Sequence, residues 1–152
     1  MSCGHNSFGQ LGRNNIGTSC TSFQKIEDLL EITRIECGDN HSICRNINND
    51  LYVFGLNSNG QLGLSDTITR KKPIQNPSLS NVIDISKGGI HTFVKTSNNE
   101  IYAFGNNEYS QLGAITNAKQ LTPIRVFEGN EAFLYSNIGN SKAKSARSIV
   151  AT

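Results

Sequence analysis

Tryptophan is absent from the 152 residues, methionine occurs once, proline three times, and aromatic side chains make up 7% of the chain. Bulky filling for an interior is therefore scarce. No apolar run approaches the roughly 18 residues that cross a bilayer as a helix, and Met1-Ser2-Cys3-Gly4-His5-Asn6 has neither the basic nor the apolar region of a signal peptide. These absences place the chain in the cytosol or nucleus, away from membranes. A formal net charge of +2 argues against a nucleic-acid surface, which needs several clustered Lys and Arg. The four cysteines contain no Cys-x-x-Cys pair, and gaps of 17, 17 and 7 residues leave zinc without close ligand pairs. A reducing compartment keeps them as thiols, read here as buried small apolar groups.

What the chain has instead is turn formers, 14 Gly and 19 Asn, and they recur at a fixed step. Gly4-His5-Asn6-Ser7-Phe8-Gly9-Gln10-Leu11-Gly12 returns as Gly55-Leu56-Asn57-Ser58-Asn59-Gly60-Gln61-Leu62-Gly63 and as Gly105-Asn106-Asn107-Glu108-Tyr109-Ser110-Gln111-Leu112-Gly113. The starts differ by 51 and then 50 residues. Residues 35–63 laid on 85–113 without a gap give 12 identities in 29. A spacing in this range marks a solenoid, a propeller or an array.

Within a unit the apolar runs are short: Ile32 to Glu36, Ser42 to Arg45 and Leu51 to Phe54, with counterparts Val82 to Ser86, Thr92 to Lys95 and Ile101 to Phe104. Each is too short for a helix, and Asn48-Asn49-Asp50 and Asn98-Asn99-Glu100 supply hairpin turns between the second and third runs. A fourth, weaker strand is expected near Pro73 to Gln75 and Pro123 to Phe127. Four short antiparallel strands per 50 residues make a propeller blade. One stretch, Lys25 to Ile32, comes close to helical spacing, and at most one short helix is expected there.

Phe54-Gly55-x-Asn57-x-x-Gly60-Gln61-Leu62-Gly63 with the upstream Gly38-x-x-His41-Ser42, repeated every 50 residues, resembles the regulator of chromosome condensation repeat. The resemblance covers residues 1–130, in units of about 1–50, 51–100 and 101–130, followed at 131–152 by the degenerate end of the third unit and a basic tail. It implies an all-β fold: a partial β-propeller, two complete and one degenerate four-stranded blades of a seven-bladed ring. Members of this family serve mainly as protein-binding surfaces. Some are guanine-nucleotide exchange factors for Ran-type GTPases that bind chromatin, and others are modules of ubiquitin ligases. The third unit departs from the pattern, with Ser110 in place of glycine and no later Gly-x-x-His.

The glycines set turns, Leu11, Leu62 and Leu112 plug the layer between blades, and Gln10, Gln61 and Gln111 satisfy backbone groups in the turn. Ser110 is expected to distort its turn if the position needs a positive φ. His41 and His91 hold equivalent places after a glycine turn, and a repeated residue is ordinarily one that every blade needs. The resemblance offers a sharper reading, in which His41 and His91, with Asp39 beside them, contact a protein partner. No carboxylate recurs with the two histidines, so neither a metal nor a cofactor is expected. There is no Gly-x-Ser-x-Gly and no His-Glu-x-x-His, and the chain is read as no enzyme.

The leading expectation is a non-enzymatic protein-interaction module. Alternatives are an exchange factor for a Ran-type small GTPase and, from Lys142, Lys144 and Arg147, a chromatin or nucleic-acid binder. Partner choice is assigned to the loops Arg13 to Ser22, Ser65 to Lys72 and Ala114 to Gln120. Seven blades need about 350 residues. An open arc leaves two blade faces uncovered, which favours self-association, and the ragged ends suit a fragment of a larger propeller.

Overall fold

The computed structural model describes residues 1–14, 19–113 and 118–127, together with the backbone of two short strands at 132–134 and 149–151. It is all-β, with no helix among the described residues. Strands β1 (Ser2–Gly4) and β2 (Cys20–Gln24) form a two-stranded pair. Strands β3 (Ile32–Cys37), β4 (His41–Asn46), β5 (Leu51–Gly55) and β6 (Arg70–Gln75) form the first complete blade. The second complete blade holds β7 (Val82–Lys87), β8 (His91–Thr96), β9 (Ile101–Gly105) and β10 (Gln120–Phe127). A last pair joins β11 (Ala132–Leu134) to β12 (Ile149–Ala151). Both complete blades are thus present, and the incomplete part is divided between a strand pair at each end.

Each complete sheet is an antiparallel meander whose neighbours are consecutive in sequence. The hairpins sit where the asparagine turns place them. Asn49 and Asn99 take φ of 65° and 62°, values that asparagine tolerates better than most residues. The Asn46 N–H reaches the Asp50 carbonyl at 3.2 Å and the Thr96 N–H the Glu100 carbonyl at 3.0 Å. The sheets run out of phase with the repeats, so each blade takes its first two strands from one unit and its last two from the next.

The blades stack through their buried middle strands. Ile43, Leu51 and Val53 of the first blade share one core cluster with Val82, Ile85, Val94 and Phe104 of the second. The inner strands β3 and β7 lie side by side, and the Arg45 guanidinium donates across the joint to the Ile83 carbonyl. The outermost strand β6 is largely exposed, in keeping with its Pro73.

Two expectations are corrected. Lys25 to Ile32 is a turn, in which the Leu29 N–H reaches the Ile26 carbonyl at 3.3 Å. Ile26 and Leu29 pack against Cys44 and Phe54 from that single turn, so the spacing needs no helix. Nor are the cysteines a buried set: Cys44 is buried, Cys20 half-buried, and Cys3 and Cys37 are exposed. Position 37 falls on the inner strand of the first complete blade, ahead of which the described residues place the β1–β2 pair and not a full sheet. The basic segment 142–147 and the segment 139–142 lie outside the described residues.

Candidate functional site

The three glycine-rich segments are corners of one shape. In the second, the Asn57 side-chain carbonyl accepts the Leu62 N–H at 2.9 Å, and the Gln61 side-chain carbonyl accepts the Asn59 N–H at 2.9 Å. Asn6 and Asn107 accept from Leu11 and Leu112 at 3.0 and 2.9 Å, and Gln10 and Gln111 from Phe8 and Tyr109 at 3.0 and 2.9 Å. The middle glycine position takes φ of 75° at Gly9, 78° at Gly60 and 57° at Ser110. Ser110 therefore does not distort its corner. It adopts the strained left-handed conformation there, at a cost of about 1–3 kcal/mol.

Each corner is also the joint to the next blade. The Ser42 hydroxyl donates to the Gln10 carbonyl at 2.8 Å, and the Thr92 hydroxyl to the Gln61 carbonyl at 2.9 Å. The Asn14 N–H donates to the Lys71 carbonyl and the Ser65 N–H to the Leu121 carbonyl, at 3.0 and 2.9 Å. A Cβ at Gly9 would lie 2.8 Å from the Lys71 Cα, and one at Gly60 would lie 2.7 Å from the Leu121 Cα. Close backbone approach is what excludes a side chain there. These partners escaped the sequence reading, although the hydroxyl that recurs after each histidine was a signal.

The Gly-x-x-His loops cap the same joint. The Gly38 N–H donates to the His41 carbonyl at 2.9 Å and the Gly88 N–H to that of His91 at 3.0 Å. Both imidazoles fold back onto their glycines, where a Cβ would meet the ring at 2.1 Å from Gly38 and 1.9 Å from Gly88. His41 is 1% exposed and His91 4%. The His41 Nε2 sits 3.3 Å from the Thr92 hydroxyl oxygen, whose proton goes to Gln61. That oxygen is left as an acceptor, which assigns the proton of His41 to Nε2 and leaves its buried Nδ1 without a partner in the structure. Burial, with the charges of His91 and Lys87 adding to it, lowers the His41 pKa to about 3. Burial and Lys87 lower His91 to about 4. Both rings are neutral near pH 7.

Of the three predicted contact residues, Asp39 alone is exposed. Its N–H donates to the Gly89 carbonyl at 2.9 Å, so it links the loop of one blade to the loop of the next. Its carboxylate lies over Gly89, where a Cβ would come 2.6 Å from Oδ2. The structure thus brings Asp39 to the rim and sets His41 and His91 beneath it, closed off from solvent. Gln10 extends the rim, its amide nitrogen 3.4 Å from the Asn40 Oδ1 and 3.1 Å from the His5 Nδ1. Among the described residues no three His, Cys, Asp or Glu gather as metal ligands.

Comparison with known proteins matches this architecture. The Regulator of chromosome condensation (RCC1) repeat matches residues 2–45, 48–94 and 98–141. The ultraviolet-B receptor UVR8 of Arabidopsis thaliana is 32% identical over 71 residues, covering 46% of this chain and 16% of the receptor. The probable E3 ubiquitin-protein ligase HERC3 of Homo sapiens is 35% identical over 72 residues, 46% of this chain and 7% of the ligase. Among solved structures, Prp20p of Saccharomyces cerevisiae, described with its binding properties to Gsp1p and histones, superimposes with a TM-score of 0.71 at 19% identity. The match covers 83% of this chain and 33% of Prp20p. Human WBSCR16 gives a TM-score of 0.69 at 23% identity over 84% of this chain and 35% of its own. The chain spans a small fraction of these curated relatives and about a third of the solved propellers. With three repeats matched in tandem over stacked four-stranded sheets, the chain belongs to the regulator of chromosome condensation repeat family.

Proposed function

We propose that the chain is a non-enzymatic protein-interaction module, with the rim loops 38–40 and 88–90 as its partner-facing element. Asp39 is the contact group, and His41 and His91 are posts that hold its loop in place. The observation that carries this reading is the bond from the Asp39 N–H to the Gly89 carbonyl, which presents an exposed carboxylate on backbone pinned across two blades. Presentation on a rigid scaffold is how propeller loops bind, and ordering such a loop beforehand lowers the cost of association. The repeat region 1–130 forms the module, and residues 131–152 are a separate end with a basic tail. Cytosol or nucleus is the proposed location.

A photo-cross-linking residue at position 39, compared with one at Lys72 on the exposed outer strand, tests the reading in cells. A discrete protein adduct from position 39 alone is expected. Equal adducts at both positions, or none at either, would sink it.

A second reading, an exchange factor for a Ran-type GTPase, is supported by the likeness to Prp20p and its described binding of Gsp1p. Release of labelled GDP from a Ran-type GTPase measures it directly, and a release rate unchanged by the chain rejects it.

A further inference from the structure

The two rim loops repeat position by position, and the places where they fail to repeat lie together. Asp39 corresponds to Gly89 and Asn40 to Ile90, while His5, Leu56 and Asn106 share one position at the start of the three corners. A residue that recurs is one every blade needs, so a departure serves a single joint. Two backbone bonds gather the departures between the complete blades: the Asp39 N–H donates to the Gly89 carbonyl at 2.9 Å, and the Leu56 N–H to the Asn40 carbonyl at 2.8 Å. Resting on the reading of this rim as partner-facing, we infer that Asp39, Leu56 and Ile90 together take a segment of a partner protein in which an Arg or Lys stands beside a leucine-like side chain.

The first joint shows what structure alone asks of these positions. There the Gln10 amide nitrogen lies 3.1 Å from the His5 Nδ1 and 3.4 Å from the Asn40 Oδ1. At the third corner the Gln111 amide donates to the Asn106 Oδ1. At the second, the same two places hold Leu56 and Ile90, whose side chains carry no acceptor, and Gln61 is 0% exposed with its amide nitrogen unpartnered. A buried donor left unpaired is a cost to folding. The apolar pair returns little to the interior, since Leu56 and Ile90 are half-buried and belong to none of the core clusters. What it does supply is apolar surface beside an acid, the composition of an interface centre.

The acid belongs to this joint alone. A Cβ at Gly89 would come 2.6 Å from the Asp39 Oδ2, so glycine in the second loop is what makes room for the carboxylate of the first. Asp39 is exposed and makes no ion pair among the described residues. A cation is its complement, and complementary charge fixes register and partner choice. Lys87 works against that attraction: it is half-buried on the strand that leads to Gly89, and its charge reaches both histidines.

Amide NMR of the isotope-labelled full chain, titrated with the blocked tetrapeptide Gly-Arg-Leu-Gly, tests the inference. Saturable shifts at residues 39, 56 and 90 are expected, with affinity at least about threefold weaker for Gly-Glu-Leu-Gly and for Gly-Arg-Ser-Gly. Asp39→Asn and Leu56→Asn are each expected to weaken binding of Gly-Arg-Leu-Gly about threefold or more, and Lys87→Met to tighten it. Ile90→Asn separates contact from structure. It restores the acceptor of the first joint, so the denaturation midpoint is expected to rise while the affinity falls. No saturable shift up to about 10 mM peptide overturns the inference, as do equal affinities for the three peptides. So does an Ile90→Asn variant that binds as the unaltered chain does or is less stable than it. Those results leave the rim reading standing where the position 39 adduct forms, whereas loss of that adduct removes the rim reading itself.

Discussion

The second and third corners have one backbone and two surroundings. Asn57–Gly63 and Asn107–Gly113 close the same rings, but the second is covered by the following blade and the third is open among the described residues. Gln61 is 0% exposed with its amide nitrogen unpartnered, whereas the Gln111 amide is half-buried and donates to Asn106. Corner shape is therefore local, written in Asn, Gln and a left-handed residue. The glycine at position 60 is required by the neighbour as well as by φ, and Ser110 survives because only the φ requirement applies to it.

The sharpest way to break this contrast is Leu62→Ala. Leu62 belongs to the cluster that spans both blades, and its truncation is expected to cost about 3–5 kcal/mol in denaturant unfolding. Next, Gly60→Ala is expected to cost about 2–4 kcal/mol, from a strained φ and a clash with Leu121, while Ser110→Ala stays within about 0.5 kcal/mol. Equal costs at 60 and 110 would remove the role assigned to the neighbouring strand.

Acid probes the two buried histidines of the Gly-x-x-His loops. Both have folded pKa values below the unfolded value of about 6.5, so the unfolded chain binds more protons. Their contribution is intact above about pH 6.5 and lost as pH falls, by up to about 1.4 kcal/mol per pH unit for each ring, until about pH 4 for His91 and about pH 3 for His41. His41→Gln is expected to flatten that slope more than His91→Gln. Ser110→Gly, which relieves the left-handed strain, is expected to stabilise the chain by about 1 kcal/mol, read as a higher denaturation midpoint.

Legibility followed the same division between local and joint. The hairpins were readable because Asn49 and Asn99 carry their own φ preference, and the corners because their donors and acceptors lie within five residues. Asn76 was not: it is buried and donates to the Leu62 and Gly63 carbonyls, yet Val126 stands at the next repeat and no periodicity flags it. Ser42 closes the Gly-x-x-His motif and Thr92 follows the second histidine, but their carbonyl partners lie 32 and 31 residues away and appear only when blades approach. The Asp39 link to Gly89 and the burial of both histidines likewise depend on approach between loops. At Lys25 to Ile32 the apolar spacing fitted a helix, and tertiary packing of Ile26 and Leu29 overrode it.

The meander order of each sheet has a kinetic side. In the complete blades the widest strand pairing, Ile101 with Phe127, spans 26 residues, so each ladder closes within one blade before any inter-blade contact is needed. Interactions formed after the folding barrier act on unfolding rate alone. Weakening the seam between blades, at Thr92 or Gly60, then hastens departure from the native state while leaving arrival untouched.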